Sequence, residues 1–154
     1  MKRSLLWSII AVVILAVIAV VAWFRPWAAQ SGTAGNKYLT IADVEKATGK
    51  TGLKVTESPT GLVFETGFLG DKILEVRFSS PDLYEREVVK NWPVYEPVPG
   101  IGDKAAVREP HTAFRLIFVK GVNAVMVQAV PKDGKVPLTR DQLVAIGRMI
   151  SERM

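Results

Sequence analysis

The chain has 154 residues, and its 49% share of hydrophobic residues is enough for one membrane segment and one compact core. It contains no cysteine, which excludes a disulfide-stapled domain, cysteine-based metal sites, thiol catalysis and a lipid-modified cysteine anchor. The net charge of +5 arises mostly in the first 27 residues, which contain Lys2, Arg3 and Arg25. Without these three, 17 of the 20 basic residues remain against 15 acidic residues, so the rest of the chain is only slightly basic. Nucleic acid is therefore not an expected partner.

The first predicted element is a transmembrane helix. An apolar stretch without ionisable residues runs from residue 5 to residue 24, and at about 1.5 Å per residue its helix would be roughly 30 Å long, which matches the bilayer hydrocarbon core. The predicted anchor and its interfacial aromatic residues comprise Leu5, Trp7, Trp23, Phe24 and Trp27. Because Lys2 and Arg3 precede the stretch, we expect a bacterial inner-membrane protein with a cytoplasmic N-terminus and a periplasmic or extracellular C-terminal domain.

A cleaved secretory signal is the alternative interpretation of this segment. The apolar region of such signals is usually about 7 to 15 residues long and ends at a small-x-small site. The best site here, after Ala34 with Gly32 upstream, lies ten residues beyond Phe24. The favoured division is therefore an uncleaved anchor in residues 1–27, a linker in 28–37 and one extracytoplasmic domain in 38–154.

The first half of that domain is predicted to be one helix followed by three strands. Thr40 and Asp43 have the spacing of a capping box, and Gly49 is placed to end the helix. Short strands are expected around residues 53–55 and 62–64. The clearest alternation follows, with Leu74, Val76 and Phe78 on one face and Glu75 and Arg77 on the other. Such alternation is typical of an antiparallel sheet with one buried face.

The second half is predicted to contain two helices and three strands. Ser80 and Pro81 indicate the cap and first position of a helix on which Tyr84, Val88 and Trp92 recur every four residues. Strands are expected at 104–109, 113–120 and 124–130, the last two as a hairpin.

A capping box is predicted for the final helix at Thr139 and Gln142. The residues expected to face the core on this helix are Leu143, Ile146, Gly147 and Ile150. The predicted order is α-β-β-β-α-β-β-β-α, an α+β fold in which helices pack on an antiparallel sheet.

Three short motifs carry a resemblance to known proteins. They read DVEKATG at residues 43–49, PGIGDKA at 99–105 and FVKGVNA at 118–124. Together they resemble a group of bacterial membrane-anchored envelope domains without assigned activity. The element order is also similar to the α-β-α sandwich of the photosystem accessory protein PsbP and the Ran-binding protein Mog1. That resemblance implies action through protein surfaces, and it transfers no functional residue to this chain.

Catalytic and metal-binding signatures are weak in this sequence. His111 is the only histidine, and it has neither cysteines nor further histidines with which to form the common metal sites. No serine lies in a Gly-x-Ser-x-Gly elbow. We therefore expect no cofactor, no metal and no enzymatic activity, and a hydrolase that uses His111 is the remote alternative.

The proline-rich loop after the second helix is the predicted contact surface for a partner. Its candidate docking residues are Trp92, Val94, Tyr95 and Val98. Neighbouring prolines would hold these side chains at low entropic cost, although a loop that merely caps the core would have the same composition. The sequence thus predicts a non-enzymatic single-span envelope protein that contacts a membrane-protein partner as an accessory subunit. The alternative is a carrier or sensor that holds a small apolar ligand between sheet and helices.

Overall fold

The computed structural model describes residues 37–67, 70–91, 94–108 and 113–154. The predicted membrane anchor and the linker up to residue 36 lie outside these residues, so the anchor stays a prediction. Within the described ranges, no helix is both long enough and apolar enough to cross a bilayer.

The described residues form an α+β domain with a single antiparallel sheet, which confirms the predicted fold class for this part of the chain. The elements in chain order are α1 (Ile41–Thr48), β1 (Lys54–Ser58), β2 (Gly61–Thr66), β3 (Asp71–Ser79), α2 (Asp82–Glu87), a 3₁₀ turn (Val89–Asn91), β4 (Tyr95–Pro97), β5 (Lys104–Arg108), β6 (Arg115–Lys120), β7 (Asn123–Ala129) and α3 (Arg140–Arg153).

The sheet consists of two meanders joined along one seam. Its spatial order is β1-β2-β3-β7-β6-β5-β4. Strands that are adjacent in sequence pair within each meander, and β3 pairs with β7 to join the two. A register shift between Phe64 and Glu65 opposite β3 marks an irregularity in the first meander.

Capping boxes mark the first turn of the two longer helices, α1 and α3. The Thr40 hydroxyl accepts a hydrogen bond from the Asp43 backbone N–H while the Asp43 carboxylate accepts one from the Thr40 backbone. Thr139 and Gln142 form the same reciprocal pair at the start of α3. Each box satisfies backbone donors that the first helical turn leaves unpaired, so both predicted caps are confirmed.

The face of the sheet that carries Leu74, Leu116 and Phe118 is covered by α1 and α3, and we call it the inner face. Gly147 on α3 allows this packing, because a Cβ at that position would overlap the Cδ2 of Leu116. The predicted role of Gly147 in close approach is confirmed. The opposite, outer face is partly covered by α2, which buries Leu83 and Val88 against β6 and β7.

The structure corrects three sequence predictions, on α2 and on the segment that follows it. The helix begins at Asp82 with Pro81 in the cap position, whereas Ser80 was the predicted cap; the Ser80 hydroxyl instead donates to the Asp82 carboxylate. The regular helix also ends at Glu87 and continues as a 3₁₀ turn, so the four-residue repeat does not describe one continuous helix. A short strand, β4, follows where the sequence predicts only a loop, because its three residues form a strand through their pairing with β5 and not through any recognisable side-chain alternation.

Candidate functional site

The outer face of the sheet is only partly covered. The helix α2 contacts β6 and β7, and its apolar residues pack on Ile117, Val119 and Met126. On β3, next to the covered strands, the side chains on this face include Glu75 and Arg77. The boundary between the covered and the open part lies beside β3.

The strand register places polar residues from distant parts of the chain in one row across the outer face. Glu75 lies opposite Gln128, and Gln128 lies opposite Arg115 on its other side. The same row continues over the first meander through Val63 to Thr56. Two residues further along β3, Arg77 extends from the next row on the same face, where it lies opposite Met126.

Three residues of this row, Glu75, Gln128 and Arg115, line a cavity of about 600 Å³ between the sheet and α2. We call it the α2 groove and define it by six polar residues: Glu75, Arg77, Arg86, Glu87, Arg115 and Gln128. Leu83 and Met126 supply apolar surface at its base. The volume is in the range of ligand sites, which are commonly about 300–1,000 Å³.

Ion pairs organise the side chains of the groove. The Arg77 Nε lies 2.6 Å from a Glu75 oxygen, and the Arg115 Nη1 lies 3.3 Å from a Glu87 oxygen. The Arg86 Nη1 lies 2.9 Å from an Asp82 oxygen on the same helix. These pairs are partly exposed, so they orient the guanidinium groups more than they stabilise the fold.

Two electrostatic effects occur along α2. Hydrogen bonding from Ser80 lowers the pKa of Asp82, with help from the nearby charge of Arg86. Partial burial raises the pKa of Tyr84, over whose ring the Lys104 ammonium lies at 4.5 Å from the centroid. Lys104 also contacts Glu85 at 2.6 Å. These contacts fix α2 to the sheet, since Lys104 belongs to β5.

The described residues contain no group of three or more histidine, aspartate or glutamate side chains arranged to hold a metal ion. His111 lies outside the described residues, so the remote hydrolase alternative stays untested. The prediction that the protein is not an enzyme is likewise untested. What the groove offers chemically is a set of oriented hydrogen-bond donors beside a few carboxylates.

The predicted docking residues occupy different environments. Tyr95 and Val98 are buried, with 1% and 7% of their surface exposed, and they pack inside the domain. Val94 is 50% exposed, and Trp92 lies outside the described residues. The structure therefore does not bring these four side chains together on one accessible surface. A partner contact at Val94 and Trp92 stays a prediction.

Two of the sequence motifs form structural contacts with each other. The carboxylate of Asp103 accepts the backbone N–H of Gly121 at 2.7 Å, and the Asp103 backbone N–H donates to the Val119 carbonyl at 2.7 Å. Gly102 donates its backbone N–H to the Ser151 hydroxyl at 2.8 Å. These contacts connect the turn before β5 with the β6–β7 hairpin and α3. The motifs therefore hold the fold together and do not line the groove.

Sequence reasoning missed the groove, although part of the signal was visible. Glu75 and Arg77 were correctly placed on the polar face of their strand. Gln128 interrupts an apolar run in β7, and Arg115 begins the apolar β6. These residues come together only because β3 pairs with β7, and no local sequence pattern specifies that pairing.

No protein-family model, no curated protein and no solved structure matches this chain. The resemblance to membrane-anchored envelope domains stays a prediction that rests on the three motifs.

Proposed function

We propose that this protein is a single-span envelope protein whose exported domain binds another protein through the α2 groove. The observation that carries the proposal is the groove itself, which opens on the half-covered outer face and holds three arginines. The proposal combines this site with the predicted anchor in residues 1–27. Together they describe an accessory subunit of a membrane assembly.

The composition of the groove supports protein binding. Arginine is enriched at protein–protein interfaces because its planar group forms several directed hydrogen bonds and also stacks. Arg77 and Arg86 are 57% and 54% exposed at their side chains, so a partner can reach them. The apolar base at Leu83 and Met126 would let a partner bury some hydrophobic surface beneath the polar contacts.

The alternative of an apolar-ligand carrier finds no specific support in the described residues. Its expected location was the space between the sheet and the helices. On the inner face, Leu116, Phe118 and Ile146 lie in that space and are fully buried. The α2 groove is lined by charged side chains, which an apolar ligand would desolvate without compensation.

A site-specific photocrosslinker tests the proposal. It is placed at Gln128 in the groove of the full-length protein and, as the matched control, at Arg148, which is exposed on α3 on the other side of the sheet. Crosslinking is done in native membranes before mild-detergent purification. We expect one membrane protein to be captured from position 128 only, and equal capture from both positions would contradict binding in the groove.

A chain that begins at Lys37 tests the contribution of the predicted anchor. If the span forms part of the contact, the shorter chain should retain less of the partner captured from position 128. A protein that purifies alone in both forms and shows no crosslink would remove the proposed function.

A further inference from the structure

We propose that the segment bound in the α2 groove is acidic, an extended stretch of a partner protein whose carboxylates pair with Arg77, Arg86 and Arg115. This inference rests on the proposed function and specifies the chemistry of the partner.

The groove has many more hydrogen-bond donors than its own residues use. A guanidinium group carries five N–H donors. The described residues accept one hydrogen bond from each of Arg77, Arg86 and Arg115. Arg77 in particular donates to Glu75 through Nε. Its two terminal nitrogens donate no hydrogen bond to another described residue.

The existing ion pairs show which ligand chemistry fits. Glu75 and Glu87 already place carboxylates on Arg77 and Arg115 from within the domain. The remaining N–H groups of a guanidinium form a planar fork that matches the two oxygens of a further carboxylate. A partner carboxylate would thus extend an arrangement that the groove already contains.

The same two glutamates favour an acidic peptide over a continuous anionic surface. Glu75 and Glu87 are 24% and 34% exposed at their side chains, so they stand in the groove among the arginines. A membrane of anionic headgroups or a nucleic-acid backbone would bring a dense phosphate array against both. A peptide can place single carboxylates at the arginines and neutral side chains at the glutamates.

The test measures peptide binding to the full-length protein in nanodiscs of neutral phosphatidylcholine. The probe is a fluorescein-labelled twelve-residue peptide in which glutamate alternates with serine, and the matched peptide has glutamine in place of glutamate. We expect the glutamate peptide to bind at least about tenfold more tightly by fluorescence anisotropy, and its affinity to fall as salt is added.

Substitutions locate the binding site. We expect Arg77→Gln and Arg115→Gln each to weaken the glutamate peptide by about fivefold to tenfold. Arg148→Gln removes the same charge from exposed surface on α3 and should change the affinity by less than about twofold. Circular dichroism checks that each variant is folded. If Arg115→Gln does not fold, Arg77→Gln alone decides the test, because Arg77 is exposed and its replacement should leave the fold intact.

Several outcomes would overturn the inference. The first is a loss of affinity in Arg148→Gln as large as in the groove variants, and the second is a glutamine peptide that binds as tightly as the glutamate peptide. The third is stronger competition by phosphatidylglycerol vesicles, RNA or inorganic phosphate than by unlabelled glutamate peptide. Crosslinking from position 128 to a partner, without any binding of the glutamate peptide, would remove the acidic-segment inference and leave the proposed function intact.

Discussion

The carboxylate of Asp43 on α1 binds the Nη1 and Nη2 atoms of Arg153 on α3 at 2.6 and 2.8 Å. Arg153 Nη1 also donates to the carbonyl of Tyr38 at 3.3 Å. One side chain near the C-terminus thus holds the first described helix and the residues before it. The contact connects the start and the end of the domain on the inner face of the sheet.

We expect Asp43→Asn to lower the thermal midpoint by about 4–8 °C at pH 7, because the bidentate contact loses its charge while most of the helix cap is kept. The pair is partly exposed, which limits the loss. Circular dichroism of the full-length protein in detergent measures the midpoint. Lys46→Gln, a single charge removed from the same helix, is the control, and an unchanged midpoint in Asp43→Asn would show that the contact adds little.

The same pair predicts a pH dependence of stability. Hydrogen bonding from Arg153 holds the pKa of Asp43 well below its ordinary value of 3.8. A carboxyl whose pKa is lower in the folded state stabilises the fold above its unfolded pKa, and this contribution is lost as the pH falls toward the folded value. The difference between wild type and Asp43→Asn should therefore be constant near pH 7 and shrink below about pH 4. Urea unfolding at several pH values measures it, and a difference that grows in acid would contradict the assignment.

The close contact between Gly147 and Leu116 predicts that Gly147→Ala destabilises the protein when residue 116 is leucine and stabilises it when residue 116 is alanine. Gly147→Ala alone should cost about 1–2 kcal/mol, because the new Cβ overlaps Leu116 in a filled core. In a Leu116→Ala background the same change should stabilise by up to about 1 kcal/mol, since alanine is the better helix former. A double-mutant cycle from urea unfolding measures both effects. Equal costs in both backgrounds would show that Gly147 is not required for packing.

Two glycines of one turn should differ strongly in their tolerance of alanine. Gly100 and Gly102 have φ values of 77° and 56°, and a Cβ at Gly100 meets nothing within 4 Å. Gly100→Ala should therefore cost about 1–2 kcal/mol for the left-handed backbone alone. A Cβ at Gly102 overlaps the carbonyl oxygen of Val119, so Gly102→Ala should cost more than about 3 kcal/mol. Chemical denaturation of both variants provides the comparison, and similar losses would contradict the steric explanation.

The buried hydroxyl of Tyr95 predicts that its removal stabilises the fold. Tyr95 is 1% exposed and its oxygen has no hydrogen-bond partner in the described structure. A buried polar atom without a partner costs free energy, so Tyr95→Phe should raise the unfolding free energy by about 1 kcal/mol. The variant should also leave partner capture at position 128 unchanged. A loss of stability would reveal a hydrogen bond to the hydroxyl.

Sequence reasoning succeeded where the deciding contacts are local. The two capping boxes, at Thr40 and Thr139, involve residues three positions apart, and the β6–β7 hairpin closes over two residues. Local propensity and turn chemistry determine such features. The prediction of a core-facing Gly147 also followed from the spacing of its helix.

The features that were missed depend on which strands pair in the sheet. The sequence predicts a loop at Tyr95, yet its pairing opposite Arg108 makes it part of a strand, and its ring is buried. The α2 groove exists because Glu75 lies opposite Gln128 across the seam between the meanders. Side-chain periodicity gives the face of a strand but not its neighbour in the sheet.

The arrangement of the sheet also has a consequence for the order of folding. Within each meander, consecutive strands pair through short connections, whereas β3 and β7 are separated by α2 and by the strands β4, β5 and β6. Closing the β3–β7 seam therefore carries the largest loop-closure entropy, and we expect it to form late, after the hairpins on either side. The six polar residues of the groove then come together only in this last step, so binding competence should appear with the fully assembled sheet and not with either half.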